Sequence, residues 1–250
     1  MNGKKLYTLF ALLFAVFIGN AQNLKDSCYA IPIVGLHFSG QMPAADLKTR
    51  FGNTGNVGVP FLYKTRKNWI IGIEGNYFFG KTVKEQNLLS NMKNAEGTIT
   101  ANDGAPGRLR INERGWNTFV TFGKILPFFN KNKNCGPVVW AGIGYMQHKV
   151  NLYDVGKNLP QLRGDLRKGY DRKTGGIAFT QFVGYMYLSN NRLTNFYAGF
   201  EFNEGFTKGI RGYQYDTMQS DEAKRKDIQI GFRIGWALPL YKRIKEFYYN

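Results

Sequence analysis

Eight segments of this chain repeat with a period of two residues, and the links between them alternate long and short without exception. The segments 55–64, 68–80, 195–205 and 227–241 alternate cleanly, and 29–40, 111–126, 136–150 and 175–189 alternate with noisier phase. The short links are "TRKN" between the second and third, "SNNR" between the sixth and seventh, and the somewhat longer "FFNKNKNCG" between the fourth and fifth. The long links run roughly over 41–53, 81–110, 151–174 and 205–225. A period of two is the strand signature, because successive side chains of a strand point to opposite faces. The segments average about 10 residues or more, which exceeds the usual soluble strand of ~5–6.

The last segment, "DIQIGFRIGWALPLY", shows what each face wants. Ile228, Ile230, Phe232, Ile234, Trp236, Leu238 and Leu240 share one face, and Gln229, Gly231, Arg233, Gly235, Ala237 and Pro239 share the other. The apolar face needs an apolar partner: a second sheet in a soluble sandwich, or lipid in a membrane barrel whose small polar face lines the lumen. The same division recurs in "NWIIGIEGNYFFG", where Trp69, Ile71, Ile73, Tyr77 and Phe79 oppose Gly72, Glu74, Asn76 and Gly80, and in "NFYAGFEFNEG" and "GNVGVPFLYK". The link pattern chooses between the two partners. Membrane barrels have short turns on one side and long loops on the other, and a Greek-key sandwich has no reason to. The fold expected is therefore all-β: an eight-stranded antiparallel up-and-down transmembrane barrel with short periplasmic turns and long extracellular loops. Trp69 and Trp236 then fall at the periplasmic interface, where aromatic belts sit.

The chain has 250 residues and shows no internal domain boundary. Its N-terminus, "MNGKKLYTLFALLFAVFIGNAQ", has a basic start, an apolar core from Leu6 to Ile18 and small residues at Gly19 and Ala21. This reads as a signal peptide over 1–21, leaving a barrel over 22–250. No later apolar run reaches ~18 residues, so no membrane-spanning helix is expected. Two cysteines, Cys28 and Cys135, exclude a disulfide scaffold, and two histidines exclude a histidine metal cluster. No metal and no cofactor is expected. Cys28 and Cys135 belong to strands on opposite sides of such a barrel, so two free thiols are expected unless the N-terminal segment or the turn crosses the barrel mouth.

The run Gln229 to Trp236 resembles the C-terminal assembly signal of outer-membrane β-barrel proteins, although here Ala237 to Asn250 follow it. A leader ending "NAQ", with Asn- and Lys-rich loops, is similar to exported proteins of the Bacteroidota. The whole resembles the small OmpA/OmpX-like eight-stranded barrels of that phylum. The resemblance implies a structural or accessory role, often within a larger outer-membrane machine.

Three charges lie mid-strand on the polar faces: Glu74, Glu201 and Arg233. An eight-stranded lumen is narrow enough to be filled by side chains, and a buried charge there must be paired. A lumen ion-pair network is expected, with Glu201 nearest to Arg233, Glu74 across the lumen, and Glu113 or Arg114 joining. Gly231 and Gly235 are expected to make room for the arginine. The stretch His37-Phe38-Ser39 resembles the His-x-Ser of outer-membrane lipid A deacylases, but its nearest acid is Asp46, and His37 and Ser39 would face the lumen. The basic excess, 34 Lys and Arg against 17 Asp and Glu, includes the loop "LRGDLRKGYDRKTGG" with Arg163, Arg167, Lys168, Arg172 and Lys173. That loop is expected to meet lipopolysaccharide phosphates or an acidic partner. No motif supports nucleic acid. The function expected is a non-enzymatic accessory or scaffold subunit of an envelope complex for secretion or outer-membrane protein assembly. The alternatives are a lipid A-modifying enzyme, or a stand-alone adhesin or envelope-stabilising barrel.

Overall fold

The computed structural model of the protein describes residues 28–85, 87–128, 132–189 and 194–240. The expected signal peptide over 1–21 and the chain end over 241–250 lie outside them. Eight strands close into one barrel in sequence order, every neighbour antiparallel. They are β1 (Ile31–Ala44), β2 (Thr54–Lys64), β3 (Trp69–Gly80), β4 (Leu109–Ile125), β5 (Gly136–Asp154), β6 (Thr174–Tyr187), β7 (Phe196–Gly209) and β8 (Arg225–Pro239). β8 closes on β1 from the pair Ile33 with Pro239 to the pair Ala44 with Ile228.

The expected strands are all present, but several are longer at the long-loop end. β1 continues past residue 40 to Ala44, β5 past 150 to Asp154, and β7 past 205 to Gly209. Their polar ends carry Gln, Asn, Lys and Thr, which break the apolar alternation although backbone pairing continues through them. A short helix, α1 (Ala45–Arg50), fills part of the first long link and was not visible in the sequence.

The alternation sorts the side chains as two-residue periodicity demands. In β8, Ile230, Phe232, Ile234 and Trp236 face outward and exposed, while Gln229, Arg233 and Ala237 are buried inside. The noisier strands have the same phase, but their inward positions include large apolar residues. Phe119 of β4, Trp140 and Met146 of β5 and Phe182 of β6 all point into the lumen. Outward, Trp69 stacks on Phe122 with centroids 4.9 Å apart, and Trp236 is exposed near the same short-turn end. The molecule is thus apolar on its outer wall and mixed inside.

Two apolar end clusters, a polar band between them and a small apolar group of Phe78, Phe119, Met146 and Ala178 fill the lumen. Ile31, Ile33, Leu62, Ile70, Val138, Trp140 and Phe182 form an apolar cluster at the short-turn end. A polar band occupies the middle. Leu47, Phe51, Leu88, Ile99, Val150, Leu152 and Leu162 form a second apolar cluster beneath the long links.

Candidate functional site

Arg233 is completely buried at the centre of the polar band. Its Nε donates to Glu201 Oε2 at 2.6 Å, and its Nη1 donates to Glu74 Oε2 at 2.8 Å. Gln41 Nε2 donates to the other oxygen of Glu201 at 2.6 Å, and the guanidinium lies 5.7 Å from the centre of the Phe182 ring. One arginine thus joins carboxylates from β3 and β7 across the lumen. Two details differ from expectation. Glu113 is buried inside, yet it is the register partner of Gly80, six residues along β3 from Glu74 and so roughly 20 Å away. Arg114, one residue on, faces outward over the Phe79 ring. Neither joins the network. The room left by Gly235 is taken by the Tyr197 ring and that left by Gly231 by the Gly40 carbonyl oxygen and Gln41, rather than by Arg233 itself.

His37 and Ser39 are both buried on the lumen side of β1, and Tyr197 Oη lies 3.2 Å from His37 Nδ1. Asp46 is elsewhere, in α1, where its Oδ2 accepts the backbone N–H of Lys226 at 2.8 Å. The structure does not bring the three together.

The long links are tied by charge. Arg50, at the end of α1 in the first link, donates through Nε to Glu85 Oε1 of the second. The other oxygen of Glu85 receives Arg172 Nη1 of the third link at 2.5 Å. Arg172 Nη2 in turn donates to Asp216 Oδ2 of the fourth at 2.7 Å. Each of these side chains is about nine-tenths buried or more. Burial works against the charge of Arg172, but the Asp216 and Glu85 carboxylates outweigh it and hold the guanidinium's pKa above its ordinary value. Arg211 of the fourth link adds a two-pronged pair to Asp171 of the third, at 2.9 and 2.6 Å. Tyr215 packs edge-on against Tyr170, and its N–H donates to Gly169 O at 3.0 Å. A side chain at Gly169 would collide with the Tyr215 ring. All four long links therefore form one cap over the second apolar cluster.

The cap divides the basic loop. Arg163, Arg167 and Lys168 are exposed, with Lys168 paired to Asp165 at 2.5 Å. Arg172 is consumed by Glu85 and Asp216, which corrects its expected role as a surface cation; its spacing in the sequence cannot show two carboxylates arriving from other links. Lys173 is half-buried, and burial together with the nearby Arg211 pushes its pKa down.

At the opposite mouth, Lys64 Nζ donates to Tyr29 O at 3.2 Å and to Asn134 Oδ1 at 2.8 Å. Cys28 Sγ lies 3.6 Å from Lys133 O. The segment before β1 therefore does reach the 132–135 turn, and both cysteines are nevertheless free thiols.

No family model matches the sequence, and no curated protein matches it. Solved structures do. The chain is similar to the crystal structure of Ail, the attachment invasion locus protein of Yersinia pestis, at 9% identity and a TM-score of 0.43, over 84% of this chain and 99% of that one. It is similar to neisserial surface protein A at 8% identity and a TM-score of 0.39, over 83% and 96%. It is also similar to the outer membrane protein AlkL in lipid bilayers at 11% identity and a TM-score of 0.40, over 92% and 98%.

Proposed function

We propose that the protein is an integral outer-membrane barrel without an open pore, acting as a non-enzymatic accessory or scaffold subunit of a larger envelope complex for secretion or outer-membrane protein assembly. The observation that carries this reading is the cap. Four long links joined by the Arg50–Glu85–Arg172–Asp216 chain present one fixed surface. Ordering four loops costs conformational entropy, which a rigid docking surface recovers when a partner binds. Tyr213, Met218, Leu166 and Val155 are exposed on these links, as apolar anchors of an interface would be.

The apolar outer wall supports placement in a bilayer. Among the described residues no helix is long and apolar enough to cross one. The two apolar clusters and the Arg233 network leave the lumen filled, which disfavours a porin. Burial of His37 and Ser39 inside the wall, apart from Asp46, disfavours a deacylase acting on membrane lipid.

Purification from envelopes in mild detergent tests the reading. The wild-type barrel is expected to bring down a defined partner in fixed ratio, and Tyr213→Glu with Met218→Glu is expected to release it while the barrel stays folded. A wild-type barrel that purifies alone, or a partner that both proteins retain equally, would remove the scaffold role.

A further inference from the structure

On three adjacent strands the outward series of side chains changes from apolar to basic at the same height. On β7 Phe206 is followed outward by Lys208; on β8 Ile228 is followed by Lys226 and then Lys224; on β6 Ile177 is followed by Gly175 and then Lys173. From Tyr187 to Ile177 the outward face of β6 is ten residues long, which on a tilted strand spans about 25 Å, the height of a barrel's apolar band. The lysines therefore begin where the band ends.

At that level the outer wall has a recess of about 510 Å³. Ile177 and Phe206 line its apolar part, and Lys208, Lys224, Arg225 and Lys226 line its basic part. Asp46 also lines it, but its Oδ2 is turned to the Lys226 amide at 2.8 Å. Arg225 is paired with Asp221, and Lys226 Nζ with Glu204 at 2.6 Å while lying 5.9 Å from the Phe206 ring centre. Among the described residues no carboxylate pairs with Lys208 or Lys224. The recess thus has an excess of positive charge above an apolar wall, the complement of an amphiphile with a phosphorylated head and an acyl chain.

We propose that this recess between β6, β7 and β8 binds a phosphorylated lipid A head group of lipopolysaccharide, its phosphate held by Lys208, Lys224 and Lys226 and one acyl chain lying on Ile177 and Phe206. The choice of lipid A over a phospholipid follows from the long-loop end, which in the proposed membrane orientation borders the outer leaflet. The inference rests on that orientation.

Native mass spectrometry of the detergent-folded barrel tests it, with diphosphorylated lipid A, dephosphorylated lipid A and phosphatidylglycerol as probes. Lipid A is expected to stay bound to the wild type. The triple variant Lys208→Gln, Lys224→Gln, Lys226→Gln is expected to bind it at least about tenfold more weakly. Arg66→Gln with Lys67→Gln, at the exposed tip of the short turn between β2 and β3, is expected to leave binding unchanged. Equal binding by the triple variant, equal loss in the tip variant, or equal retention of the dephosphorylated lipid would overturn the site. Phosphatidylglycerol bound as tightly and through the same lysines would overturn lipid A as its occupant. A wild type that folds in detergent yet binds no lipid A removes the site and leaves the barrel reading standing, whereas a chain that does not fold in detergent removes both.

Discussion

Arg172 and Glu85 are 87 residues apart in sequence, and Arg172 Nη1 lies 2.5 Å from Glu85 Oε2. They belong to two different long links, and each has a second partner in a further one. Arg172 also has a φ of 41°, a left-handed backbone that costs a side-chain-bearing residue roughly 1–2 kcal/mol. The ion pairs hold the residue there against that cost.

Arg172→Ala should therefore loosen the cap. It leaves Glu85 and Asp216 nine-tenths buried with one fewer cation, and breaking such a pair costs about 3–5 kcal/mol. That exceeds what four surface loops can absorb, so they open while the strands stay paired. Limited proteolysis should cut the variant within 81–108 and 155–173, where the wild type resists, with the heat-dependent gel shift of the barrel unchanged. Equal resistance of both proteins would mean that the apolar cluster alone holds the links.

The lumen network should behave differently, because it lies within the barrel. Arg233→Ala leaves Glu74 and Glu201 buried and uncompensated, and Glu201→Ala leaves Arg233 with Glu74. Each should lower the melting temperature of the detergent-folded barrel, by about 3–5 kcal/mol in stability. The double variant should lose less than the sum of the two, since each single change already breaks the same contact. Strict additivity would show that the Arg233–Glu201 contact contributes nothing to stability.

The two sites differ in how far the sequence reveals them. Arg233, Glu74 and Glu201 stand in the inward phase of cleanly alternating strands, so periodicity alone places them in one lumen. The height of Glu113 depends on the register of β3 with β4, which periodicity does not encode, and its separation from Arg233 was not legible. The cap was least legible. Arg50, Glu85, Arg172 and Asp216 occupy links without periodicity, and their meeting depends on how four loops fold over the same end of the barrel. α1 is illegible for a related reason: six residues are too few to establish a helical repeat.

The thiols at the short-turn mouth should react at different rates. Cys135 is buried, its Sγ 3.2 Å from both the N–H and the carbonyl oxygen of Leu188, and burial pushes its pKa up. Cys28 is only half-buried. Since the thiolate is the reacting form, a raised pKa leaves less of it at any given pH, so both burial and the raised pKa slow Cys135, and the more accessible Cys28 should label first. Intact-mass analysis with iodoacetamide and no reductant should show one early adduct and one late adduct. An unlabelled pair would instead mean that the contact between the N-terminal segment and the 132–135 turn closes into a disulfide.

The outer wall offers the sharpest test of where the barrel resides. Ile73 lies near the middle of β3, 58% exposed, between the outward residues Phe61 of β2 and Val120 of β4. If that wall faced water, replacing an exposed isoleucine by arginine would cost little or nothing, because the guanidinium would be hydrated. In a bilayer the same change places a charge near the midplane at a cost of about 2–4 kcal/mol, falling to ~0–1 kcal/mol near the interface. Tyr153, 52% exposed at the long-loop end of β5, supplies the interfacial control. Ile73→Arg and Tyr153→Arg should therefore differ in urea titrations of the barrel folded into phospholipid vesicles, with Ile73→Arg the less stable by a margin near the midplane cost. The depth dependence decides the matter, since a general effect of added charge would act alike on both positions. Equal stabilities would show that β3 does not cross the hydrocarbon layer, and the bilayer placement on which the lipid A site depends would be lost.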